Sequence, residues 1–275
     1  AEDASRRANQ AAELEAQGRT SVAYQPEARP ALAEEVAMMR AVAMAEQTGS
    51  PVYAVHVSSE RALRVAQAAR ARGLPFFIET RPIYLHLTRE RFDGPDAGLY
   101  VGQPPLREQS DQDALWEALA NGTIDVVGTD HVAYSREDKL DPSQTITNHR
   151  AGMNHLQMLR PLLFSDGVLA GRISVERFVE VTATNPAKLF GIFPEKGTIA
   201  VGSDADLVLW DPEETRTVRD QDMLSATGFS IYAGWEVTGW PVVTLRRGEV
   251  VFEGGEITGQ AGTGRLLERS RWEER

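Results

Sequence analysis

The strongest constraint on the fold is an alternation of short, apolar, β-branched segments with longer segments of helical periodicity. Residues 51–56, 76–79 and 124–128 are short apolar runs, which predicts three buried strands. Between them lie a helical segment at 60–72 and a second one that runs from its predicted N-cap, Asp111, to residue 120. Because buried strands joined by helices pair in parallel, the pattern predicts an α/β fold with a helix-covered parallel sheet.

The pattern changes in the second half of the chain. Residues 152–164 and 174–184 predict two further helices, the first of them broken or kinked at Pro161. After Gly197, short apolar segments alternate with glycine-containing turns, which predicts a compact antiparallel β module. Residues 259–275 are glycine-rich and then charged, which is typical of an exposed tail.

Composition excludes several classes of protein. The 275 residues include 29 basic and 40 acidic side chains and no cysteine, and the formal net charge is −11. The lack of cysteine excludes a disulfide scaffold and a thiolate metal site, and it fits a reducing compartment, so a cytoplasmic location is expected. The acidic balance argues against nucleic acid as a partner, because a phosphate backbone would be repelled.

The ends of the chain add two expectations. No apolar run approaches the ~20 residues of a membrane span and no signal peptide is visible, so no membrane partner is expected. The chain also opens without Met, in polar and helix-like sequence. This opening predicts a start in the middle of a domain.

Two polar residues stand at the ends of predicted strands. His56 ends the first strand, and Asp130 follows the third. In parallel α/β sheets the carboxyl ends of the strands open onto the ligand, so an imidazole and a carboxylate there could share a metal or relay a proton. A hydrogen-bonded core histidine and a helix N-cap explain the same spacing. Glu79, at the end of the middle strand, is open to two interpretations: orienting a ligand side chain, or forming a buried ion pair.

The remaining histidines point to structural roles. His86 lies in a predicted loop, and His131 is expected to order the chain next to Asp130. The spacing of His149 and His155 does not match an i, i+4 pair of metal ligands on a helix, so neither is expected to bind metal.

A series of short motifs in a shared order resembles the hydantoinase/dihydropyrimidinase group of cyclic amidohydrolases, within the amidohydrolase superfamily. The motifs are Glu2-Asp3, Arg29-Pro30 with Glu34-Glu35, His56-Val57-Ser58-Ser59, Glu79-Thr80-Arg81-Pro82-Ile83-Tyr84-Leu85, Pro104-Pro105-Leu106-Arg107, Thr129-Asp130-His131, Asn185-Pro186-Ala187-Lys188, Phe190-Gly191, Lys196-Gly197-Thr198-Ile199, Gly202-Ser203-Asp204-Ala205-Asp206-Leu207-Val208, Gly234-Trp235 and Gly239-Trp240-Pro241. The interval of 130 − 56 = 74 residues is also similar to the family's spacing between its last metal histidine and its catalytic aspartate.

The resemblance implies a TIM-like (β/α)8 barrel, of which the later half is present, followed by a C-terminal β-sandwich segment. It assigns residues 1–194 to the barrel, 195–258 to the sandwich segment and 259–275 to the tail. It also implies two divalent metal ions, usually zinc. His56 matches the family's second single histidine, and Asp130 matches its aspartate. The His-x-His pair, the bridging carboxylated lysine and the first single histidine are expected upstream of Ala1.

The activity implied by the resemblance is metal-assisted hydrolysis of a cyclic amide, which opens a hydantoin or dihydropyrimidine ring to an N-carbamoyl amino acid. Asp130 would take the proton from the attacking water and pass it to the leaving ring nitrogen. Gln103 stands where relatives commonly carry serine in a substrate loop, and Asn148 best matches the asparagine of the next one. The implied partners are a small cyclic amide and further copies of the chain, as a homodimer or homotetramer.

Two alternatives stay open on the sequence. An allantoinase or dihydroorotase would share the metal chemistry, and a dihydroorotase would need a cation such as Arg81 or Arg107 to hold a carboxylate. A non-catalytic scaffold similar to the dihydropyrimidinase-related proteins would need neither His56 nor Asp130 for chemistry.

Overall fold

A computed structural model describes residues 2–270 of the chain. The chain divides into two compact units. The first unit extends to Leu159 and includes Val218–Gly234, and the second comprises Arg160–Thr217 and the chain from Trp235 onward. The predicted domain boundary at residue 194 does not coincide with this division, since 160–194 belong to the second unit. The domain division of the full-length protein therefore stays a prediction.

The regular elements alternate as the sequence pattern indicates in the first unit and become mostly strands late in the second. The α-helices are α1 Ala4–Ala16, α2 Gln25–Ala28, α3 Ala31–Thr48, α4 Glu60–Ala71, α5 Pro82–His86, α6 Gln109–Ala120, α7 Arg136–Lys139, α8 Leu159–Leu163, α9 Val175–Val179 and α10 Asn185–Leu189. Wider helical turns follow α8 and α9 at Phe164–Leu169 and Glu180–Thr184. Short 3-10 helices lie at Val22–Tyr24, Arg89–Phe92, Ala97–Tyr100 and Asp220–Asp222. The strands are β1 Val52–Ala54, β2 Phe76–Thr80, β3 Val126–Val127, β4 Leu207–Thr217, β5 Glu236–Arg246, β6 Glu249–Glu253 and β7 Glu256–Ile257.

The first unit contains a three-stranded sheet in the order β1-β2-β3. Both pairings are parallel, and β2 meets β3 at Glu79↔Val126 and Thr80↔Val127. The predicted parallel sheet is confirmed, although β1 and β3 are shorter than the apolar runs that predicted them. Since all three strands run the same way, their carboxyl ends lie along one edge of the sheet.

The helices beside this sheet pack through small and branched apolar residues. Ala62 and Ala66 of α4 and Leu115 and Leu119 of α6 are fully buried. The prediction that Asp111 caps α6 is wrong, because α6 begins at Gln109 with Glu108 at its N-cap position. The Asp111 carboxylate instead accepts the backbone N–H of Glu60 at 2.9 Å, in the first turn of α4. The residue therefore links the two helices.

The predicted helix over 152–164 is also wrong in its first half, since α8 begins only at Leu159. The preceding segment is held by tertiary contacts, among them the buried Lys139, whose ammonium donates to the carbonyls of Val101, Arg150 and Gly152, each at 2.8 Å. Burial lowers the pKa of Lys139 to about 7, and the three carbonyl acceptors favour its protonated form. A local helical pattern is overridden here by partners that are distant in sequence.

The second unit contains an antiparallel sheet in the order β4-β5-β6-β7. The predicted antiparallel β module is confirmed. Phe164, Phe178 and Trp210 form an aromatic cluster with ring centroids 5.1 to 5.8 Å apart. Gly239 has a left-handed backbone (φ 92°), and a Cβ there would lie 2.2 Å from the ring of Phe164. The cluster therefore requires glycine at this position of β5.

The predicted C-terminal tail and the expected lack of a membrane-spanning segment concern features outside the two sheets. Residues 259–270 of the predicted tail contain turns and extended chain, while 271–275 lie outside the described residues. Among the helices at 2–270, none has the length and apolar character needed to cross a membrane.

A buried carboxylate in α3 holds the chain that follows β1. Glu34 is only 1% exposed, and it accepts hydrogen bonds from the backbone N–H of Ser58 at 2.9 Å, the Ser58 hydroxyl at 2.8 Å and the Ser59 hydroxyl at 2.7 Å. The guanidinium of Arg107 lies 3.5 Å away. Because a buried carboxylate must have all these partners to offset its desolvation, Glu34 strongly determines the path of the chain just after His56.

Replacing Glu34 by Ala is expected to lower the free energy of unfolding by about 3 kcal/mol, because three donors and a buried cation lose their acceptor. Chemical denaturation of the two proteins measures this difference. Glu35→Ala is the matched control, since its carboxylate pairs with the exposed Arg61 at 2.7 Å and its loss should cost less than about 1 kcal/mol. Equal losses in the two variants would contradict the assigned role of Glu34.

Candidate active site

His56 and Asp130 lie beyond the carboxyl ends of β1 and β3, on either side of β2. Both have left-handed backbones, with φ of 46° and 50°, and the only other non-glycine residue of this kind in the described chain is Arg247. Side chains other than glycine are uncommon in this region, and such strain persists only where the surrounding structure imposes it. The two residues with predicted chemistry are thus both held in unusual conformations on one edge of the sheet.

Glu79, at the end of β2, imposes the conformation of His56. Its carboxylate accepts the backbone N–H of His56 at 3.2 Å and the hydroxyl of Tyr53 at 2.6 Å. A Cβ at Gly128 would lie 2.7 Å from the same carboxylate, so glycine is needed there. Of the two interpretations of Glu79, the buried ion pair is not found among the described residues. The carboxylate orients a site residue instead, and it does so through the main chain rather than the imidazole.

The imidazole of His56 is held neutral. Burial lowers its pKa to about 3, and the nearby Arg81 guanidinium adds to the shift. Its Nδ1 is buried and has no hydrogen-bond partner within residues 2–270. A neutral imidazole with an unused nitrogen can bind a metal ion.

Asp130 is the exposed member of the pair. Its side chain is 51% exposed, and its Oδ2 accepts a hydrogen bond from the Nη1 of Arg81 at 2.6 Å. The carboxylate is therefore anchored on one oxygen and open to solvent on the other side.

Arg81 is a residue of the candidate site whose contacts the sequence did not predict, since it was considered there only as a cation for a substrate carboxylate. Its side chain is 1% exposed, and besides Asp130 it donates to the carbonyl of Gln103 at 3.2 Å and to the hydroxyl of Tyr84. The available signal was an arginine directly after the end of a buried strand, where a charge is costly unless it is paired. Its partners, however, come from segments that are distant in sequence.

Neither arginine considered for a carboxylate grip is free to provide one. Arg81 is buried and committed to Asp130, Tyr84 and Gln103. Arg107 is also buried, and it donates to the carbonyl of Arg29 at 2.6 Å and to a serine hydroxyl at 3.0 Å. Both guanidinium groups serve internal contacts in the described part of the chain.

The two predicted substrate-binding residues lie on neighbouring loops. The side chain of Gln103 is exposed, and its Nε2 is 3.2 Å from the Nε2 of His149. Asn148 is exposed in the adjoining turn, where its carbonyl accepts the N–H of Thr145 at 2.8 Å. Because Arg81 also contacts Gln103, the structure brings the Gln103 turn next to Asp130. It does not show a direct contact from either predicted substrate residue to His56.

A largely apolar cavity of about 340 Å³ lies beside His131, and its wall includes His155, Met223 and Phe229. The Nδ1 of His131 accepts the N–H groups of His155 and Leu156, both at 3.1 Å, so its proton is on Nε2. His131 therefore orders the chain after Asp130, as expected. His155 is 2% exposed, and neither of its ring nitrogens has a hydrogen-bond partner in the described residues.

The sequence model of the Amidohydrolase family matches residues 1–251. The chain belongs to the amidohydrolase family.

Named relatives of this amidohydrolase include two curated proteins. It is 40% identical over 265 residues to the D-hydantoinase of Ralstonia pickettii, covering 94% of this chain and 57% of that protein. It is 39% identical over 264 residues to the D-phenylhydantoinase of Escherichia coli O1:K1 / APEC, and the match covers 95% of this chain and 57% of that protein. The resemblance to hydantoinases is confirmed.

Solved structures agree with these relatives. The D-hydantoinase (dihydropyrimidinase) from Thermus sp. superposes with a TM-score of 0.94 at 38% identity, covering 98% of this chain and 59% of that one. The L-hydantoinase (dihydropyrimidinase) from Arthrobacter aurescens gives a TM-score of 0.92 at 34% identity, and the match covers 98% of this chain and 59% of that one. This amidohydrolase chain therefore spans less than two thirds of the length of the relatives that it matches.

Amidohydrolases are generally metal-dependent, which makes the donor set of this chain relevant. Within residues 2–270, no group of three or more His, Cys, Asp or Glu side chains is placed to hold a metal ion. Two individual groups nevertheless fit: the neutral imidazole of His56, with its unpartnered buried nitrogen, and the carboxylate of Asp130. Imidazole nitrogen and carboxylate oxygen are both ligands of zinc. The described chain thus offers two side chains of the kinds that bind zinc.

Because His155 is buried, we expect acid to lower the stability of this amidohydrolase. Burial lowers its pKa from 6.5 to about 3, so between these values the unfolded chain binds a proton that the folded chain does not. The free energy of unfolding should therefore fall as pH decreases below 6.5, by about 1.4 kcal/mol per pH unit from this residue.

Urea denaturation of the wild type and of His155→Phe at a series of pH values between 7 and 4 measures this contribution. The variant should lose this part of the acid slope. Identical slopes in the two proteins would show that His155 does not stay neutral in the folded state.

Proposed function

We propose that this chain forms part of a metal-dependent hydrolase that opens a hydantoin or dihydropyrimidine ring to an N-carbamoyl amino acid. The observation that carries the proposal is the placement of His56 and Asp130 in left-handed conformations on one edge of a parallel sheet. Burial keeps the imidazole neutral, and the carboxylate stays half exposed, as a ligand and a proton acceptor require. The names of the relatives support the choice of cyclic amides as substrates.

The proposal includes the architecture of the full-length protein. Residues 1–194 would form the later half of a TIM-like (β/α)8 barrel, 195–258 a β-sandwich segment and 259–275 a tail. The three parallel strands with their helices and the antiparallel β4–β7 sheet support the two kinds of architecture. The TM-scores above 0.9 to hydantoinase structures support the fold as a whole, while the boundary at residue 194 rests on the sequence resemblance alone.

His56 and Asp130 would hold the metal in this proposal, as two ligands of a site with two divalent ions, usually zinc. A carboxylated lysine and the remaining histidines would come from a part of the protein upstream of this chain. Such ions lower the pKa of bound water towards neutrality and polarise the scissile carbonyl.

Asp130 would carry the proton in the reaction. Its Oδ2 accepts one hydrogen bond from Arg81 and keeps a second lone pair, so the carboxylate could bind the metal and still take a proton from the attacking water on its other oxygen. The same oxygen would then donate this proton to the ring nitrogen as the amide bond breaks. The half-exposed position lets the carboxylate reach both groups without a change in the backbone.

The substrate would lie against the turns that carry Gln103 and Asn148. Both residues are exposed, and their backbone and amide groups offer donors and acceptors of the kind a cyclic amide needs.

The proposal further includes a cytoplasmic location, consistent with the absence of cysteine, and assembly as a homodimer or homotetramer. A dihydroorotase is less well supported, because Arg81 and Arg107 are both buried and engaged.

The first test uses the full-length native protein and a panel of rings. After loading with Zn²⁺, we expect hydrolysis of hydantoin or dihydrouracil in preference to allantoin and dihydroorotate, and loss of activity after dialysis against a chelator. Metal analysis should find two ions per chain. A metal-free protein that opens none of the rings would refute the enzyme and favour the scaffold.

The second test addresses the proton carrier. Asp130→Ala should lower kcat by roughly 100-fold to 10,000-fold, because the general acid and base is removed. The control is Asp113→Asn, an exposed carboxylate on α6 that bonds only to Gln109 within the described chain and should leave kcat unchanged. Full ring hydrolysis by Asp130→Ala would rule out the assigned role.

A further inference from the structure

Arg81 connects two parts of the candidate site that come from different loops. Its Nη1 donates to Asp130 beyond β3 at 2.6 Å, and its Nη2 donates to the carbonyl of Gln103 at 3.2 Å. The same Nη2 bonds to the hydroxyl of Tyr84, which in turn donates to the carbonyl of Pro104 at 2.8 Å. One buried guanidinium thus touches the predicted proton carrier and the predicted substrate turn.

The shape of the guanidinium suits this bridge. It is planar and permanently charged, and its donors point in fixed directions, so it can bond to partners on two sides at once. The ring of Tyr84 also packs against it, with the guanidinium carbon 4.7 Å from the ring centroid. A lysine carries its three donors on one nitrogen, so they cannot be spaced as the Nη1 and Nη2 donors are here, and a single ammonium position would have to serve both Asp130 and the turn.

We propose that Arg81 is a positioning residue that holds the Asp130 carboxylate and the Gln103–Pro104 turn in a fixed relative arrangement. The inference rests on the proposed function, since it assigns that arrangement to the reaction. Arg81 acts through its partners and does not bind substrate itself, because its side chain is 1% exposed.

A purely structural role would predict partners spread through the core. The described hydrogen bonds of Arg81 go instead to Asp130, to the backbone of Gln103 and to Tyr84, which itself holds the next residue of the turn. Small displacements of reacting groups cost about 100-fold in rate, so a device that fixes their separation has a direct effect on catalysis.

The chain offers a matched control at the opposite edge of the same sheet. Arg70 also joins β2 to the chain near β3: it pairs with Asp125 and donates to the carbonyls of Phe76 and Thr123, both at 2.6 Å. Its partners lie at the amino end of β2 and before β3 rather than after the strands. Arg70→Lys therefore removes a comparable bridge without touching the candidate site.

The experiment compares Arg81→Lys, Arg81→Met, Tyr84→Phe and Arg70→Lys in the metal-loaded full-length protein. Arg81→Lys and Tyr84→Phe should raise KM by about tenfold, because the Gln103–Pro104 turn loses a hydrogen bond in both variants. The kcat of both should stay within about threefold of wild type, because Asp130 keeps a cationic partner: the new lysine in Arg81→Lys and the original arginine in Tyr84→Phe. Arg81→Met should also lower kcat by about 100-fold, because Asp130 is no longer oriented. Arg70→Lys should lower the melting temperature and change neither kinetic constant.

Amide hydrogen exchange provides a readout that does not depend on turnover. Exchange in residues 99–107 should become faster in Arg81→Lys and Tyr84→Phe and stay as in wild type in Arg70→Lys. If the wild type opens no ring, the proposed function fails, and the exchange result alone then supports or overturns the bridge. Unchanged KM and unchanged exchange in Arg81→Lys, or equal kinetic effects of Arg81→Lys and Arg70→Lys, would overturn the inference.

Discussion

The parallel pairing of β2 with both of its neighbours is the constraint on which the site depends. Two backbone hydrogen bonds extend this pairing past the strand ends, from the N–H of Val57 to the carbonyl of Glu79 at 2.7 Å and from the N–H of Gly128 to that of Thr80 at 3.0 Å. Because the strands are parallel and in register, the chain leaves all three on the same edge. The candidate site can therefore combine residues 74 positions apart, as 130 − 56.

Buried charges then determine the loops that leave this edge. Glu34 holds the residues after β1, Arg81 holds those after β2 and β3, and Lys139 gathers three carbonyls from the segments around residues 101 and 150–152. Each of these groups is costly to bury and is stabilised only when its partners are in place. Local loop conformation and long-range packing are consequently coupled in the first unit.

Strain is concentrated where the chemistry is proposed. His56 and Asp130 adopt left-handed backbones, which are uncommon outside glycine. The backbone N–H of His56 donates to the Glu79 carboxylate, and Arg81 donates to the Asp130 carboxylate. Glycine at position 128 leaves room for the Glu79 carboxylate. The conformations are thus paid for by the surrounding hydrogen bonds, which the sequence pattern of the strands does not reveal.

The amino-acid sequence by itself determined the class of fold. Strand and helix periodicity are local signals, so the parallel and antiparallel segments and the helix that ends near residue 71 could be predicted. The placement of His56 and Asp130 at strand ends follows from the same pattern.

Only the tertiary structure decided what these residues contact. The first half of the helix predicted over 152–164 is absent because Lys139 and His131 bind that segment, and Asp111 accepts the N–H of Glu60 in the first turn of α4 rather than capping its own helix. Arg81 became a site residue only through partners 22 and 49 positions away. Periodicity reports on neighbours within a few residues, whereas a buried charge is satisfied by whatever groups the folded chain brings to it. For that reason the fold class could be predicted from the sequence. The bridge that Arg81 forms between Asp130 and the Gln103 turn could not be predicted.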